Sequence, residues 1–180
     1  MRNLISCLLI LFNSVPATAD DRLTAAVAAV EADVVFIRHA LAPGFGDPSY
    51  FVLSDCRTQR NLDSVGRQQA LSIGAEIRQS KTQFAEVLSS EWCRCKETTK
   101  LLGLSAWETF SGLNSFFQNF AIKQEVINKL EQKFNELSPG VTLMVTHQVV
   151  IHAATGQSVG SGELVAFNTR SKETQKFRLD

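Results

Sequence analysis

A three-layer α/β/α sandwich with a mostly parallel central sheet is the fold this sequence predicts. Short apolar runs of strand length alternate with segments of helical period along most of the chain. Three of those runs, at 33–37, 84–90 and 141–145, stop abruptly at polar residues, as buried strands do where they leave a sheet. The composition agrees: 180 residues, 44% apolar and 20% charged, with no internal repeat and no low-complexity run, suit one ordinary globular domain.

The first nineteen residues stand apart. Arg2 precedes the apolar run Leu4 to Phe12, and a polar stretch follows that ends Ala17-Thr18-Ala19. This pattern reads as a secretory signal peptide cleaved before Asp20, which gives a leader at 1–19 and a domain at 20–180. The run falls well short of the roughly 20 residues that a bilayer span requires, so no stable membrane span is expected after cleavage. Leu4-Ile5-Ser6-Cys7 resembles a lipoprotein box but lies too near the start to leave an apolar segment before it. Loss of Arg2 turns the balance of 18 basic and 18 acidic residues into a net charge of −1. No global field then draws the protein to nucleic acid or an anionic membrane, and any anion site must be local.

The mature chain keeps Cys56, Cys93 and Cys95. An odd number in an oxidising compartment permits one disulfide and one spare thiol. Cys93 and Cys95 are too close to pair easily, which favours Cys56 with one of them; a bond there would fix the backbone beside Arg94. The missing CxxC spacing argues against zinc.

Residues 20–31 are alanine-rich and predict a short leading helix. Asp33 to Ile37 is a strand that runs into Arg38-His39. Residues 40–62 form a long loop rich in Pro, Gly, Asp and Ser, and loops of that length in compact domains are usually functional or disordered. Asp63 is a plausible N-cap for a helix with Gly66, Ala70, Ile73 and Ile77 on one face. Phe84 to Ser90 reads as a strand entering Glu91-Trp92-Cys93-Arg94 and a helix that ends near Gly103. Ile122, Val126, Leu130, Phe134 and Leu137 recur at helical spacing until Pro139-Gly140. Val141 to Val145 is a strand running into Thr146-His147 and a short helix ending near Gly156. Glu163 to Phe167 and Thr174 to Leu179 form a terminal strand pair.

Ligands of such sheets bind beyond the carboxyl ends of the strands. Arg38, His39, Arg94 and His147 all fall at strand exits. Guanidinium groups offer paired donors to phosphate or carboxylate oxygens, and helix N-termini add backbone N–H groups. The expected guest is a phosphoryl group. A neutral imidazole among those donors can attack phosphorus, and neighbouring positive charge keeps it neutral by lowering its pKa. The second histidine is then expected to donate to an oxygen of the transition state. A lone histidine at a strand end is ordinarily structural; it is the coincidence of four such residues that favours chemistry. His152, five residues past His147, falls on a different helix face and reads as structural. Trp92 and Trp107 read as packing residues, and nothing like a Cys–His signature marks a reactive thiol.

These segments resemble the histidine phosphatase superfamily. Phe36-Ile37-Arg38-His39-Ala40 looks like its RHG box, with Ala40 where glycine is usual. Asn61-Leu62-Asp63-Ser64-Val65-Gly66-Arg67-Gln68-Gln69-Ala70 is similar to its L-T-x-x-G-x-x-Q-A helix start. Ser89-Ser90-Glu91-Trp92-Cys93-Arg94-Cys95-Lys96-Glu97-Thr98 resembles S-x-x-x-R-x-x-x-T, Val145-Thr146-His147 the second-histidine exit, and Gly162-Glu163 the G-E that follows. The resemblance implies a phosphoglycerate mutase-like fold, a phosphorylated nucleophile at His39, and Arg38, Arg94 and His147 completing the pocket. It implies no cofactor and no metal.

One part of the pattern is missing. A leaving alkoxide needs a general acid. The family's carboxylate after the second histidine is replaced by Gln148, and its glutamate between the second and third strands falls in Leu113-Asn114-Ser115-Phe116-Phe117. Asp47, Asp55 and Glu91 are positional candidates only, so aryl phosphates are expected to react faster than alkyl phosphates. Gln59, Asn61 and Gln148 are candidate substrate contacts, with a solvated turn as the alternative for Gln59, Arg60 and Asn61. The expected partner is a phosphorylated small molecule or a glycolipid phosphate, met in the periplasm or outside the cell. A non-catalytic phospho-ligand binder that keeps the arginine/histidine pocket is the competing reading; a phosphotransferase or mutase, which needs an acceptor site, is the third.

Overall fold

A computed structural model describes residues 22–104 and 106–179. The expected leader at 1–19 lies outside the described residues. Strands β1 (Val34–Arg38), β2 (Phe84–Ser89), β3 (Glu108–Thr109), β4 (Val141–Thr146), β5 (Leu164–Phe167) and β6 (Thr174–Phe177) form one sheet in the order β3-β2-β4-β1-β5-β6. The pairs β1–β4, β2–β4 and β2–β3 are parallel, whereas β5 and β6 add antiparallel at one edge. The mostly parallel sheet expected from the sequence is therefore present, with an antiparallel hairpin closing it.

Alternation along β1 sorts the two cores, because successive strand side chains point to opposite faces. Val35 and Ile37 join one apolar cluster with Leu23 and Ala26 of α1 (Arg22–Ala29), Ile73 and Ile77 of α2 (Ser64–Gln79), and Leu102 of α3 (Cys93–Leu102). Val34 and Phe36 join the other, with Val126 and Leu130 of α4 (Lys123–Asn135) and Val150 and Ile151 of α5 (Gln148–Thr155). Three helices cover one face and two the other, which makes the three layers. Full burial of each such side chain contributes about 1.5–3 kcal/mol. No helix among the described residues is long and apolar enough to cross a membrane.

Local signals act where the sequence places them. The Asp63 carboxylate accepts from Gly66 N at 2.7 Å and caps α2. Gly66 is required there by close approach, since a Cβ would lie 1.9 Å from the Leu41 carbonyl oxygen. Ile122 departs from expectation: it precedes the first turn of α4 and is 62% exposed instead of extending the buried stripe. Strand β3 is an addition to the expected elements, because two exposed residues carry no periodic signal. The 40–62 segment is a packed loop containing a 3-10 turn at Cys56–Thr58.

Register sets the site. Arg38 pairs with Thr146 and Ser89 with Val145, so β1, β2 and β4 end level. The ladder runs one residue further on each side, with His39 N donating to Thr146 O and Ser90 N to Val145 O, both at 2.9 Å. His39, Ser90 and His147 thus emerge side by side.

Candidate active site

His39 leaves β1, His147 leaves β4 as the residue before α5, and Arg94 is the second residue of α3. Thr98, one turn beyond Arg94, locks two of these exits together. Its hydroxyl donates to Arg94 O at 2.7 Å and accepts from Ala40 N at 3.0 Å. Ala40 is fully buried and keeps a negative φ, so alanine fits where the RHG pattern has glycine.

The ring of His39 is assigned a tautomer by its partners. Nδ1 lies 2.8 Å from Ala40 O, and a carbonyl oxygen only accepts, so Nδ1 carries the proton. Nε2 is then bare and accepts from Arg94 Nε at 3.2 Å. Burial, then the charges of Arg94, Arg38 and Arg60, hold the His39 pKa well below its ordinary value, overriding the bond to Ala40, which raises it. The ring is a neutral base with an unshared pair.

His147 lies beside it, the two ring centroids 5.4 Å apart. The Ser90 hydroxyl donates to Asn114 Oδ1 at 3.1 Å and must therefore accept from His147 Nε2, 3.0 Å away. This leaves Nδ1 bare, 3.5 Å from Arg94 Nη2. Burial and the positive charge of Arg94 keep this imidazole neutral as well.

Arg94 connects the two histidines and is itself held from behind. Its Nη1 and Nη2 donate to the two carboxylate oxygens of Asp47 at 2.8 and 3.0 Å. Both side chains are 4% exposed. Trp92 Nε1 and Arg60 N complete the carboxylate shell at 3.1 and 2.9 Å. One edge of the guanidinium is thus committed to Asp47, while the Nε–Nη2 edge faces His39 Nε2 and His147 Nδ1. Burial alone would raise the Asp47 pKa, but Arg94, Arg60 N and Trp92 outweigh it and hold the group below its ordinary value. Asp47, a candidate acid in the sequence, is instead a charged brace for Arg94.

Arg38 closes another side. Its Nη1 donates to Val159 O at 2.8 Å and to Gln148 Oε1 at 3.2 Å, while its buried Nε has no hydrogen-bond partner among the described residues. An unsatisfied buried donor is uncommon and suits an anion-binding wall.

A cavity of about 250 Å³ opens over these groups, with Arg38, His39, Arg60, Arg94 and His147 in its floor and Phe45 and Phe117 at its rim. Two larger clefts, of about 640 and 730 Å³, lie elsewhere and contain neither histidine nor cysteine. Among the described residues no cluster of three or more His, Cys, Asp or Glu is placed to hold a metal ion.

The other expected residues divide. Gln148 lines the cavity. Gln59 and Asn61 do not: Gln59 Nε2 donates to Leu53 O at 2.9 Å and its Oε1 accepts from Cys93 N at 2.9 Å, while Asn61 Nδ2 donates to Cys56 O at 2.6 Å. Their amides satisfy the backbone of the long loop, which needs internal partners because it is packed. Asp55 is paired with Arg57 at the surface, which lowers its pKa to about 2, so it is no acid at neutral pH. Glu91 is held by Asn114 Nδ2 at 2.5 Å. No Asp or Glu among the described residues lines the cavity.

Cys56 and Cys93 form a disulfide that ties the long loop to the residue before Arg94. Cys95 remains a thiol; burial pushes its pKa up to about 12, which leaves it inert as a nucleophile. Trp92 is buried and stacked on Phe51, as expected of a packing residue, but its N–H also serves Asp47. His152 is exposed in the last turn of α5. Sequence reasoning missed the roles of Ser90, Asn114, Phe45 and Phe117; Ser90, Asn114 and Phe117 fell inside segments that the family resemblance had singled out, and Phe45 did not.

No protein-family model matches this sequence, and no curated protein matches it. Solved structures do. The protein histidine phosphatase SixA, complexed with tungstate, superposes with a TM-score of 0.53 at 18% identity, covering 80% of this chain and 93% of that one. A mycobacterial glucosyl-3-phosphoglycerate phosphatase gives a TM-score of 0.55 at 13% identity, over 79% and 95%. A variant of TTHB049 from Thermus thermophilus gives 0.56 at 16%, over 82% and 99%. At such identities the likeness establishes a common fold, the one expected from the sequence.

Proposed function

We propose that this chain is a phosphatase of the histidine phosphatase type, which hydrolyses phosphate monoesters through a phosphohistidine at His39. The observation that carries the reading is the His39 ring, held with Nδ1 protonated and Nε2 bare against the Nε–Nη2 edge of Arg94. In the first step the Nε2 electron pair forms a bond to phosphorus while the bond from phosphorus to the ester oxygen breaks, and the leaving group departs with that pair. Arg94 and Arg38 stabilise the charge on the equatorial oxygens. His147 presents a bare Nδ1; an anion in the cavity raises its pKa, and the proton it then takes up lets it donate to an oxygen. Water next attacks phosphorus and gives up a proton to solvent, from which the departed oxyanion takes one up; the P–N bond breaks, and His39 regains its electron pair.

Two solved neighbours of this fold are described as phosphatases, one of protein histidine and one of glucosyl-3-phosphoglycerate. Export is part of the proposal: the leader-like segment at 1–19 and the Cys56–Cys93 bond both suit an oxidising compartment such as the periplasm. The substrate proposed is a phosphorylated small molecule or a glycolipid phosphate.

A non-catalytic phospho-ligand binder is the second reading, favoured by the cavity's lack of any carboxylic acid. Phosphate release separates the two. The mature chain is expected to release inorganic phosphate from members of a phosphoester panel, with the rate falling at least roughly a thousandfold in His39→Ala. Retention of exchangeable phosphate with no release by the parent chain establishes the binder instead.

A further inference from the structure

We infer that the leaving-group side of the cavity is built for an aromatic ring, so that the substrate class is an aryl phosphate seated against the Phe45–Phe117 pair; this rests on the phosphatase reading above. Three independent features of the cavity converge on it.

The first is size. The cavity, about 250 Å³, exceeds what one phosphoryl group fills, since a water-sized group occupies about 30 Å³ of liquid. The remaining space adjoins the arginine and histidine side chains and is open to the group that a bound phosphoryl carries.

The second is the rim. Phe45 is 89% exposed and meets Phe117 edge to face, with ring centroids 5.2 Å apart. Phe45 is the most exposed of the large apolar side chains on this loop, beyond Tyr50 and Val52, and none of the three buried apolar clusters includes it. The backbone on either side holds it outward: Gly44 and Gly46 adopt φ of +91° and +69°. At Gly46 a Cβ would also lie 2.5 Å from Gln118 Oε1, which accepts from Asp47 N at 2.7 Å. The tip carrying Phe45 is thereby tied to the Asp47–Arg94 pair, which keeps the ring at the rim of the cavity. Aromatic edges and faces of this kind favour another ring.

The third is chemistry. No carboxylic acid among the described residues lines the cavity, and beside the two imidazoles its uncharged polar side chains are Ser115 and Gln148. Gln148 Oε1 already accepts from Arg38. An alkoxide leaving group finds no carboxylic acid here to protonate it. A phenolate leaves without a proton.

Binding and turnover test this separately. Phenylphosphonate and methylphosphonate, which cannot turn over, are titrated calorimetrically into the mature chain. The phenyl compound is expected to bind about tenfold tighter, and the Phe45→Ala/Phe117→Ala double variant to reduce that preference to within about twofold. Equal affinities in the parent chain overturn the inference and leave the phosphatase reading standing. Failure of both phosphonates to bind overturns both. In turnover, phenyl phosphate is compared with hexafluoroisopropyl phosphate, whose leaving group is of similar acidity. A KM for the phenyl ester several-fold lower, rising selectively in Phe45→Ala with kcat kept, supports a ring site. Equal KM values, or a variant that raises both alike, reduce the preference to leaving-group acidity and overturn it.

Discussion

The two walls of the cavity are built differently. One consists of the level ends of β1, β2 and β4, where His39, Arg94 and His147 are buried and each polar atom is tied to a neighbour. The other is the loop of 40–62 together with the segment around 115–118, where Phe45 and Phe117 meet solvent. The first wall fixes charge and protonation and so determines what reaction is possible. In the proposed reaction the second touches whatever the phosphoryl group is attached to. Asp47 joins them, since it belongs to the loop yet grips the central arginine. Chemistry and selectivity are divided between rigid strand ends and a braced loop, and a single carboxylate couples the two.

Breaking that coupling has the largest expected effect. In Asp47→Asn the Arg94 edge loses its counter-charge while both groups stay buried. Removal of one partner from a buried pair costs about 3 kcal/mol, and a displaced guanidinium lowers kcat/KM by roughly 10- to 100-fold. Denaturant unfolding gives the first quantity, and phosphate release at a temperature where the variant is folded gives the second. An unchanged kcat/KM would separate the two walls and make Asp47 a matter of folding alone.

A smaller effect is expected from the disulfide. Cys56 and Cys93 are 37 residues apart in sequence, a closure worth about 4 kcal/mol in the loop-entropy account. The Cys56→Ser/Cys93→Ser variant should unfold at correspondingly lower denaturant. Its kcat/KM should fall by less than about tenfold, because Asp47, Gln59 and Asn61 still brace the loop. A loss of activity as large as that of Asp47→Asn would show that the disulfide, and not the carboxylate, positions the arginine.

The same division explains what the sequence disclosed. The strand-end wall was legible because buried strands and amphipathic helices leave periodic signals, and because Arg38, His39, Arg94 and His147 stand where those signals stop. Pairing of Cys56 with a cysteine beside Arg94 followed from simple exclusion, and the structure selects Cys93. The loop wall was not legible. Asp47 pairs with a residue 47 positions away, and no local pattern encodes that contact. It read as a possible acid because its type was known and its partner was not. Gln59 and Asn61 were assigned to substrate for the same reason: polarity in a loop does not reveal whether a side chain faces ligand or its own backbone. Phe45 carried no signal, being a single aromatic in an irregular segment, and Phe117 stood in a segment marked only for the glutamate it lacks.

The proposed reaction depends on His39 being a neutral imidazole with Nε2 unprotonated. Its folded pKa lies well below the ordinary 6.5, as does that of His147. As pH falls through about 6.5 the unfolded chain takes up protons that the folded chain refuses, so stability is full above that value and is lost below it. Nitrogen NMR of the histidine-labelled chain observes the ring itself. The His39 resonances are expected to report a protonated Nδ1 and a bare Nε2, unchanged as pH is lowered from about 8 to about 6. A ring that titrates to imidazolium near 6.5, or that carries its proton on Nε2, would contradict the assignment of His39 as the nucleophile.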